Sequence, residues 1–153
     1  MRKPIVILTL TLLFFASVGF SNPYSSGRIR QPADDRALVT AVAQSYMDAY
    51  YTADVQRMSQ VVHPEFHKRT LRTVQDGGID LKEDTKASLL EGVRTGSGKN
   101  TPADQRTKKI EVLDIYKNAA SVKVVNGSWI DYMLLTKADG KWQVLDVVLQ
   151  YTR

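Results

Sequence analysis

The carboxyl-terminal stretch from Ser128 to Tyr151 constrains the fold of this chain more than any other segment. Two runs rich in aliphatic and aromatic residues flank Asp139 and Gly140. Asp-Gly between such runs favours a tight hairpin turn, because Gly adopts positive φ without steric cost. The pattern therefore predicts a long antiparallel hairpin, with strands over residues 129–135 and 142–151.

Two carboxylates lie inside these predicted strands, where Asp is uncommon. Strict alternation places Asp131 on the face of Trp129, and Asp146 on the face of Trp142. A carboxylate that faces a cavity has a raised pKa and can act as a base or as a hydrogen-bond acceptor. The alternative is a structural role, in which each Asp accepts hydrogen bonds from a Tyr or an Arg. The sequence leaves both open.

The amino terminus has the layout of a secretory signal peptide. Arg2 and Lys3 precede a nearly uncharged apolar run from Ile5 to Val18, and small residues follow it. The run is short for a membrane span, which makes an uncleaved anchor the weaker alternative. We therefore predict a signal peptide over residues 1–21, a flexible arm over 22–32, a single domain over 33–153, and a secreted or periplasmic protein.

The distribution of charge and the absence of cysteine exclude some partners and one kind of stabilisation. The formal charge of +5 is scattered along the chain and forms no basic stripe interleaved with aromatic residues, so nucleic acid is not an expected partner. We expect no membrane association after signal cleavage. Since the chain has no cysteine, no disulfide can form, and an exported domain must rely on packing and oligomerisation.

Helix signals dominate the first half of the predicted domain. A helix that begins at Asp34 presents apolar residues every four positions. Asp54 is expected to cap a short second helix over residues 55–62. Asp80 and Glu83 match a capping box and predict a third helix that ends near Arg94. The apolar stripe of the first helix is predicted to be Leu38, Val42, Tyr46, Ala49 and Tyr50.

Strand signals dominate the second half. An extended segment over residues 66–74 separates the second and third helices, and strands over 108–116 and 119–127 precede the terminal hairpin. Helices on one face of a curved antiparallel sheet make an α+β fold.

This order resembles the nuclear-transport-factor-2-like, or cystatin-like, cone fold. The residues are similar to its putative lumazine-binding branch and to the neighbouring SnoaL-like group. The likeness rests on segments 46–54, 63–66 and 110–124, and it is clearest in 131–135 followed by Gly140-Lys141-Trp142. The resemblance implies a cone-shaped domain with about three helices on one face of the sheet, a cavity at its mouth, and often a homodimer packed through the sheet. It implies no single reaction, since one fold hosts many functions.

Both histidines lie in one short segment. His63 and His67 have the spacing of a metal pair, but Pro64 prevents the continuous helix that would place both on one face. We therefore expect no metal site and no cofactor. His67 is the better candidate for lining a cavity, because an imidazole titrates near neutral pH and suits proton transfer.

Aromatic residues supply the remaining candidates for a pocket. Tyr46, Tyr50, Trp129 and Tyr132 could stack on a flat ligand, although aromatic residues at helical or strand spacing also build cores. The leading hypothesis is an exported, non-catalytic domain that binds a small apolar or aromatic molecule. One alternative is an isomerase or dehydratase that uses His67 with Asp131 or Asp146. Another is an association domain with a filled cone.

Overall fold

The computed structural model describes residues 32–107 and 109–152, and it assigns three α-helices, six strands and one short 3-10 helix (Ala103–Gln105) to them. The predicted signal peptide and residues 22–31 of the predicted arm lie outside this part of the chain. The elements are α1 (Pro32–Thr52), α2 (Val55–Val61), β1 (Val62–Thr73), β2 (Ile79–Thr85), α3 (Lys86–Arg94), β3 (Lys109–Tyr116), β4 (Ala119–Val125), β5 (Trp129–Ala138) and β6 (Lys141–Tyr151).

The strands form one sheet in the order β2-β1-β6-β5-β4-β3. All neighbours pair antiparallel except β1 and β6, which are parallel, so the sheet is mixed rather than purely antiparallel. The helices contact one face of the sheet and bury it, which confirms the predicted α+β architecture. We call this the inner face and the opposite one the outer face.

The terminal hairpin is confirmed. Asp139 and Gly140 have φ values of 49° and 75°, the paired positive φ values that a two-residue turn between twisted strands requires. Trp142, just after the turn, is 5% exposed, and its Nε1 atom donates a 3.0 Å hydrogen bond to Asp35 in α1. The indole therefore joins the hairpin to the first helix.

The buried stripe of α1 is rotated by about one residue from the predicted one. Val39, Ala43 and Met47 are fully buried, whereas Leu38 and Val42 are only partly buried. A four-residue repeat identifies an amphipathic helix, but packing against the sheet decides which edge of a broad apolar face turns inward. Tyr46 and Ala49 are buried as predicted.

The predicted helix over residues 80–94 is wrong in its first third. Residues 79–85 form β2, which pairs with β1, and α3 begins only at Lys86. Thr85 caps this helix, since Ser88 N donates to Thr85 Oγ1 at 3.4 Å while Thr85 N donates to Ser88 Oγ at 2.9 Å. Residues 79–85 form a strand despite the helix-capping pattern of Asp80 and Glu83, because the edge of β1 offers them backbone hydrogen bonds.

A β-bulge in β6 overturns another expectation. The register passes from Leu135 opposite Val144 to Leu134 opposite Asp146, so Leu145 is an extra residue. A bulge of one residue reverses the alternation that follows it. Trp142 and Val144 therefore face inward, but Asp146 and Val148 face outward, contrary to the predicted common face.

A second bulge lies in β3, where Leu113 is the extra residue between Val112 and Asp114. It separates Asp114 from the inward face that Ile110 and Val112 share. Val122 and Val124 in the neighbouring strand β4 are fully buried. The two bulges add twist and bend to the sheet.

Candidate functional site

A small cavity lies between α1 and the inner face of the sheet. It encloses about 60 Å³. Four of the six candidate residues line it: Tyr46 and Tyr50 from α1, and Trp129 and Asp131 from β5. The same cavity is also lined by Met47, Lys68, Leu149 and Tyr151.

Asp131 is the charged residue of this cavity that is most deeply buried, with 1% of its surface exposed. Its Oδ2 atom accepts hydrogen bonds from Trp129 Nε1 at 2.9 Å and from Asn126 Nδ2 at 3.1 Å. Its Oδ1 atom has no partner among the residues that the structure describes, and neither does the hydroxyl of Tyr46. Two buried polar atoms of cavity-lining residues are therefore left without a hydrogen-bond partner in this part of the chain.

A hydrogen-bonded network of Asn126, Tyr51 and Thr107 fixes the Oδ2 side of the Asp131 carboxylate. Asn126, which is 4% exposed, accepts from Tyr51 Oη at 2.9 Å and from Thr107 Oγ1 at 3.1 Å through its Oδ1 atom. This leaves the Asn126 amide nitrogen directed to Asp131. Sequence reasoning missed Tyr51 and Asn126, because contacts that span 75 residues leave no local pattern.

Burial dominates the electrostatics of the cavity. It raises the pKa of Asp131 above its ordinary 3.8, while the charge of Lys68 and the two donated hydrogen bonds act in the opposite direction. Burial also raises the pKa of Tyr46 well above 10.0, and the nearby Asp131 adds to that rise. Asp131 is thus suited to holding a proton or to accepting one from a ligand.

The aromatic walls are held by close packing. The rings of Tyr50 and Trp129 meet edge to face, with centroids 6.4 Å apart. Gly98 lies against Tyr50, and a Cβ atom at this position would come within 2.5 Å of the Tyr50 carbonyl oxygen. Only glycine permits this approach, so the loop after α3 positions the Tyr50 ring.

A larger, more open recess adjoins the cavity, and we call it the vestibule. It measures about 220 Å³ and shares Tyr50, Lys68, Leu149 and Tyr151 with the cavity. Three cations line it, Lys68, Arg72 and Lys82, together with one carboxylate, Asp84. A molecule could therefore extend from the cavity into a basic recess.

His67 and Asp146 do not line the cavity. They are register partners on the neighbouring strands β1 and β6. Asp146 faces outward because of the bulge, 3.5 Å from Arg69, and its side chain is 31% exposed. His67 is exposed, beside a shallow external groove that also includes Phe66 and Leu90. The structure therefore does not bring either residue together with Asp131.

The chemistry available in the cavity is that of a donor and an acceptor. Asp131 can accept a hydrogen bond or a proton at Oδ1, and the Tyr46 hydroxyl can donate or accept. The described residues include no group of three or more His, Cys, Asp or Glu side chains arranged to hold a metal ion. Among the helices of the same residues, none is long and apolar enough to cross a bilayer.

Comparison with known proteins places this geometry in context. The model of a family described as putative lumazine-binding matches residues 34–149. No curated protein matches significantly.

Solved structures match over most of their length. A nuclear-transport-factor-2-like protein of unknown function from Methylobacillus flagellatus KT is 24% identical, with a TM-score of 0.58 over 82% of this chain and 98% of its own. A nuclear-transport-factor-2-like protein with a cystatin-like fold from Novosphingobium aromaticivorans is 10% identical, with a TM-score of 0.59 over 78% and 83%. A putative dehydratase of the nuclear-transport-factor-2-like family from Streptomyces avermitilis is 11% identical, with a TM-score of 0.58 over 80% and 99%. At these identities the likeness shows a common fold.

Proposed function

Because this chain belongs to the putative lumazine-binding family, we propose that its nuclear-transport-factor-2-like domain binds a small planar molecule at the mouth of the cone without transforming it. The cavity that Asp131 and Tyr46 line is the binding site. The ligand carries a hydrogen-bond donor and an acceptor on one edge.

The observation that carries this proposal is the pair of unpartnered polar atoms, Asp131 Oδ1 and Tyr46 Oη. A buried polar group without a partner is unfavourable by about 1–3 kcal/mol, and more when it is charged. A cone that served only for association would gain stability from apolar side chains at these positions. A ligand edge with adjacent N–H and C=O groups satisfies both atoms.

The dimensions of the site decide how such a ligand lies. The cavity of about 60 Å³ holds a few water molecules or the edge of a ring, and it is well below the usual size of an enclosing ligand pocket. The rest of a bicyclic ligand must lie in the vestibule, between Tyr50 and Tyr151. Edge-on insertion suits a flat heterocycle better than a bulky aliphatic molecule.

The test uses the fluorescence of Trp129 with lumazine as the probe. Trp142 lies outside the cavity, so the Trp142→Phe background leaves Trp129 as the reporter. Asp131→Asn replaces the accepting Oδ1 atom with an amide NH2 group, which would face a hydrogen-bond donor of the ligand. Because two donors cannot bond to each other, lumazine affinity should fall about 10- to 100-fold. Asp146→Asn is the matched control on the outer face, and it should leave the affinity unchanged.

Two results would refute the proposal. One is quenching of Trp129 fluorescence by lumazine that is unchanged in both Asp131→Asn and Asp146→Asn, which would mean that the ligand binds elsewhere. The other is the absence of any response to lumazine, together with native mass spectra that contain no co-purified molecule. That second result would favour the filled, association-only cone.

A proton-transfer enzyme is the second candidate, and the raised pKa of Asp131 favours it. His67 and Asp146 lie outside the cavity, so Tyr46 would have to serve as the partner of Asp131. Exchange of deuterium from solvent into carbon-bound positions of a bound ligand, lost in Asp131→Asn, would support catalysis over binding alone.

Export and a secreted or periplasmic location are part of the proposal. They rest on Arg2, Lys3 and the apolar run from Ile5 to Val18. Amino-terminal sequencing of the protein from a secreting host should give a start near Asn22. A membrane-bound product that still begins at Met1 would refute processing.

A homodimer through the outer face is also proposed. Tyr132 and Leu134 are 45% and 53% exposed there. Leu134 also lines an outer groove of about 310 Å³ with Tyr116 and Leu145. Apolar surface of this kind favours a self-complementary contact around a twofold axis.

A further inference from the structure

We propose that the vestibule binds an anionic substituent of the ligand, such as a carboxylate, and that Lys68 and Arg72 are the groups that recognise it. This inference rests on the proposed function, because it concerns the outer end of the same ligand. It assigns the ligand to a class: planar heterocycles that carry a hydrogen-bonding edge and, away from that edge, an acidic group.

Lys68 is placed where the two recesses meet. It lines both the cavity and the vestibule, and it is only partly exposed. Its ammonium group makes no hydrogen bond and no ion pair within 4 Å among residues 32–107 and 109–152. Its charge acts on Asp131, but the two groups form no direct ion pair, so Lys68 can also attract an anion in the vestibule.

The one carboxylate of the vestibule is already engaged. Asp84 lies 3.1 Å from Lys82 Nζ and accepts a 3.1 Å hydrogen bond from Ser88 Oγ. Lys82 and Asp84 therefore neutralise each other. What remains in the vestibule is the charge of Lys68 and Arg72.

Arg72 is an exposed residue that lines the same vestibule. Its guanidinium lies 5.8 Å from the centre of the Tyr151 ring, which also lines the cavity. Asp80 is its register partner on β2, but the two form no ion pair in the described structure. The guanidinium is thus free to form two parallel hydrogen bonds with a carboxylate.

The two ends of the site are complementary to different chemistry. The inner end offers an acceptor at Asp131 and a hydroxyl at Tyr46, whereas the vestibule offers net positive charge. A neutral heterocycle would leave Lys68 unpaired in a partly buried recess, and a simple anion would leave Asp131 Oδ1 unpaired. A molecule that combines both features satisfies every unpartnered group that we have described.

The experiment compares two probes that differ by one group: uncharged lumazine and lumazine-6-carboxylate, in the Trp142→Phe background at low salt. We expect the carboxylate to bind roughly five- to tenfold more tightly, and added salt should reduce the difference. Lys68→Met keeps the apolar stem and removes the charge, so it should abolish the difference between the two probes, measured as the ratio of their affinities. Lys123→Met, next to Tyr132 on the outer face, is the matched control and should change neither affinity.

The outcomes separate this inference from the proposed function. Equal affinity for both probes, with lumazine binding still sensitive to Asp131→Asn, overturns the anion preference and leaves the binding function standing. A difference that survives in both Lys68→Met and Arg72→Gln also overturns it. Failure of both probes to bind overturns the inference together with the proposed function.

Discussion

Trp129 and Asp131 lie two residues apart on β5, and the indole nitrogen donates a 2.9 Å hydrogen bond to the carboxylate Oδ2 atom. Side chains at this spacing share one face of a strand, so the contact requires no distant element. Because the indole and Asn126 both occupy Oδ2, Oδ1 is the oxygen that can take a proton or a ligand.

The first prediction concerns the pH dependence of stability. The pKa of Asp131 is raised in the folded state, so between 3.8 and that higher pKa the folded protein binds more protons than the unfolded chain. The contribution of Asp131 to unfolding free energy therefore falls as pH rises through this window. Asp131→Asn removes the effect, since its carbonyl oxygen can still accept both hydrogen bonds.

Thermal melting of the ligand-free wild type and of Asp131→Asn, from acid to neutral pH, tests this. We expect the variant to gain relative stability as pH rises and to lose that advantage below about pH 4. Parallel stability curves for the two proteins would contradict the burial of a titrating carboxyl.

The second prediction distinguishes the real cap of α3 from the one that the sequence suggests. Thr85→Ala removes the capping box with Ser88, so it should lower the free energy of unfolding by about 1 kcal/mol. Asp80→Ala alters an exposed residue of β2 and should change it by less than about 0.5 kcal/mol. Denaturant titrations of both variants give the comparison, and the reverse order would restore the longer helix.

The third prediction concerns the joint between the hairpin and α1. Trp142→Ala empties a site that is 5% exposed, and it should lower the free energy of unfolding by about 3–5 kcal/mol. Trp142→Phe keeps most of the apolar area and loses the hydrogen bond to Asp35, so a smaller loss is expected. A loss well under 1 kcal/mol for Trp142→Ala in urea would mean that the hairpin does not depend on this contact.

The fourth prediction concerns the proposed homodimer. Light scattering of the wild type at micromolar concentration should give twice the mass of one chain. Leu134→Lys places a charge in the outer groove and should give a single-chain mass with the fold retained, since Leu134 is 53% exposed. Leu81→Lys, on the edge strand β2, is the control and should remain dimeric. A wild type of single-chain mass would refute the dimer.

The sequence was most informative where local chemistry decides the structure. The Asp139-Gly140 turn, the Asp54 cap and the strand alternation that pairs Trp129 with Asp131 all depend on neighbours within a few residues. Together with the order of the helices and strands, these features sufficed to predict the hairpin and the α+β class. The family resemblance rested on the longer segments 46–54, 63–66, 110–124 and 131–135.

Long-range contacts decided what the sequence could not predict. The segment over residues 79–85 became a strand because β1 offered an edge, although its own residues favoured a helix. Asp146 was expected to face inward because strict alternation was assumed across Leu145. None of the residue types at this point of the sequence indicates a bulge. Asn126 reaches Tyr51 across 75 residues, a contact that only the folded chain defines.

The extra residue at Leu145 makes the length of β6 matter more than the identity of its side chains. Deleting this extra residue would close the bulge and leave Asp146 outward, whereas pairing Leu145 as a regular strand residue would turn Asp146 into the apolar interior and Val147 and Leu149 out to solvent. The cavity wall at Leu149 and Tyr151 would then be lost. Substitutions along this strand can be absorbed one at a time, whereas one residue inserted or deleted between Asp146 and Leu149 reverses the facing of every side chain beyond it. We therefore expect natural variants of this domain to keep the number of residues between Asp146 and the cavity wall even where the residues themselves differ.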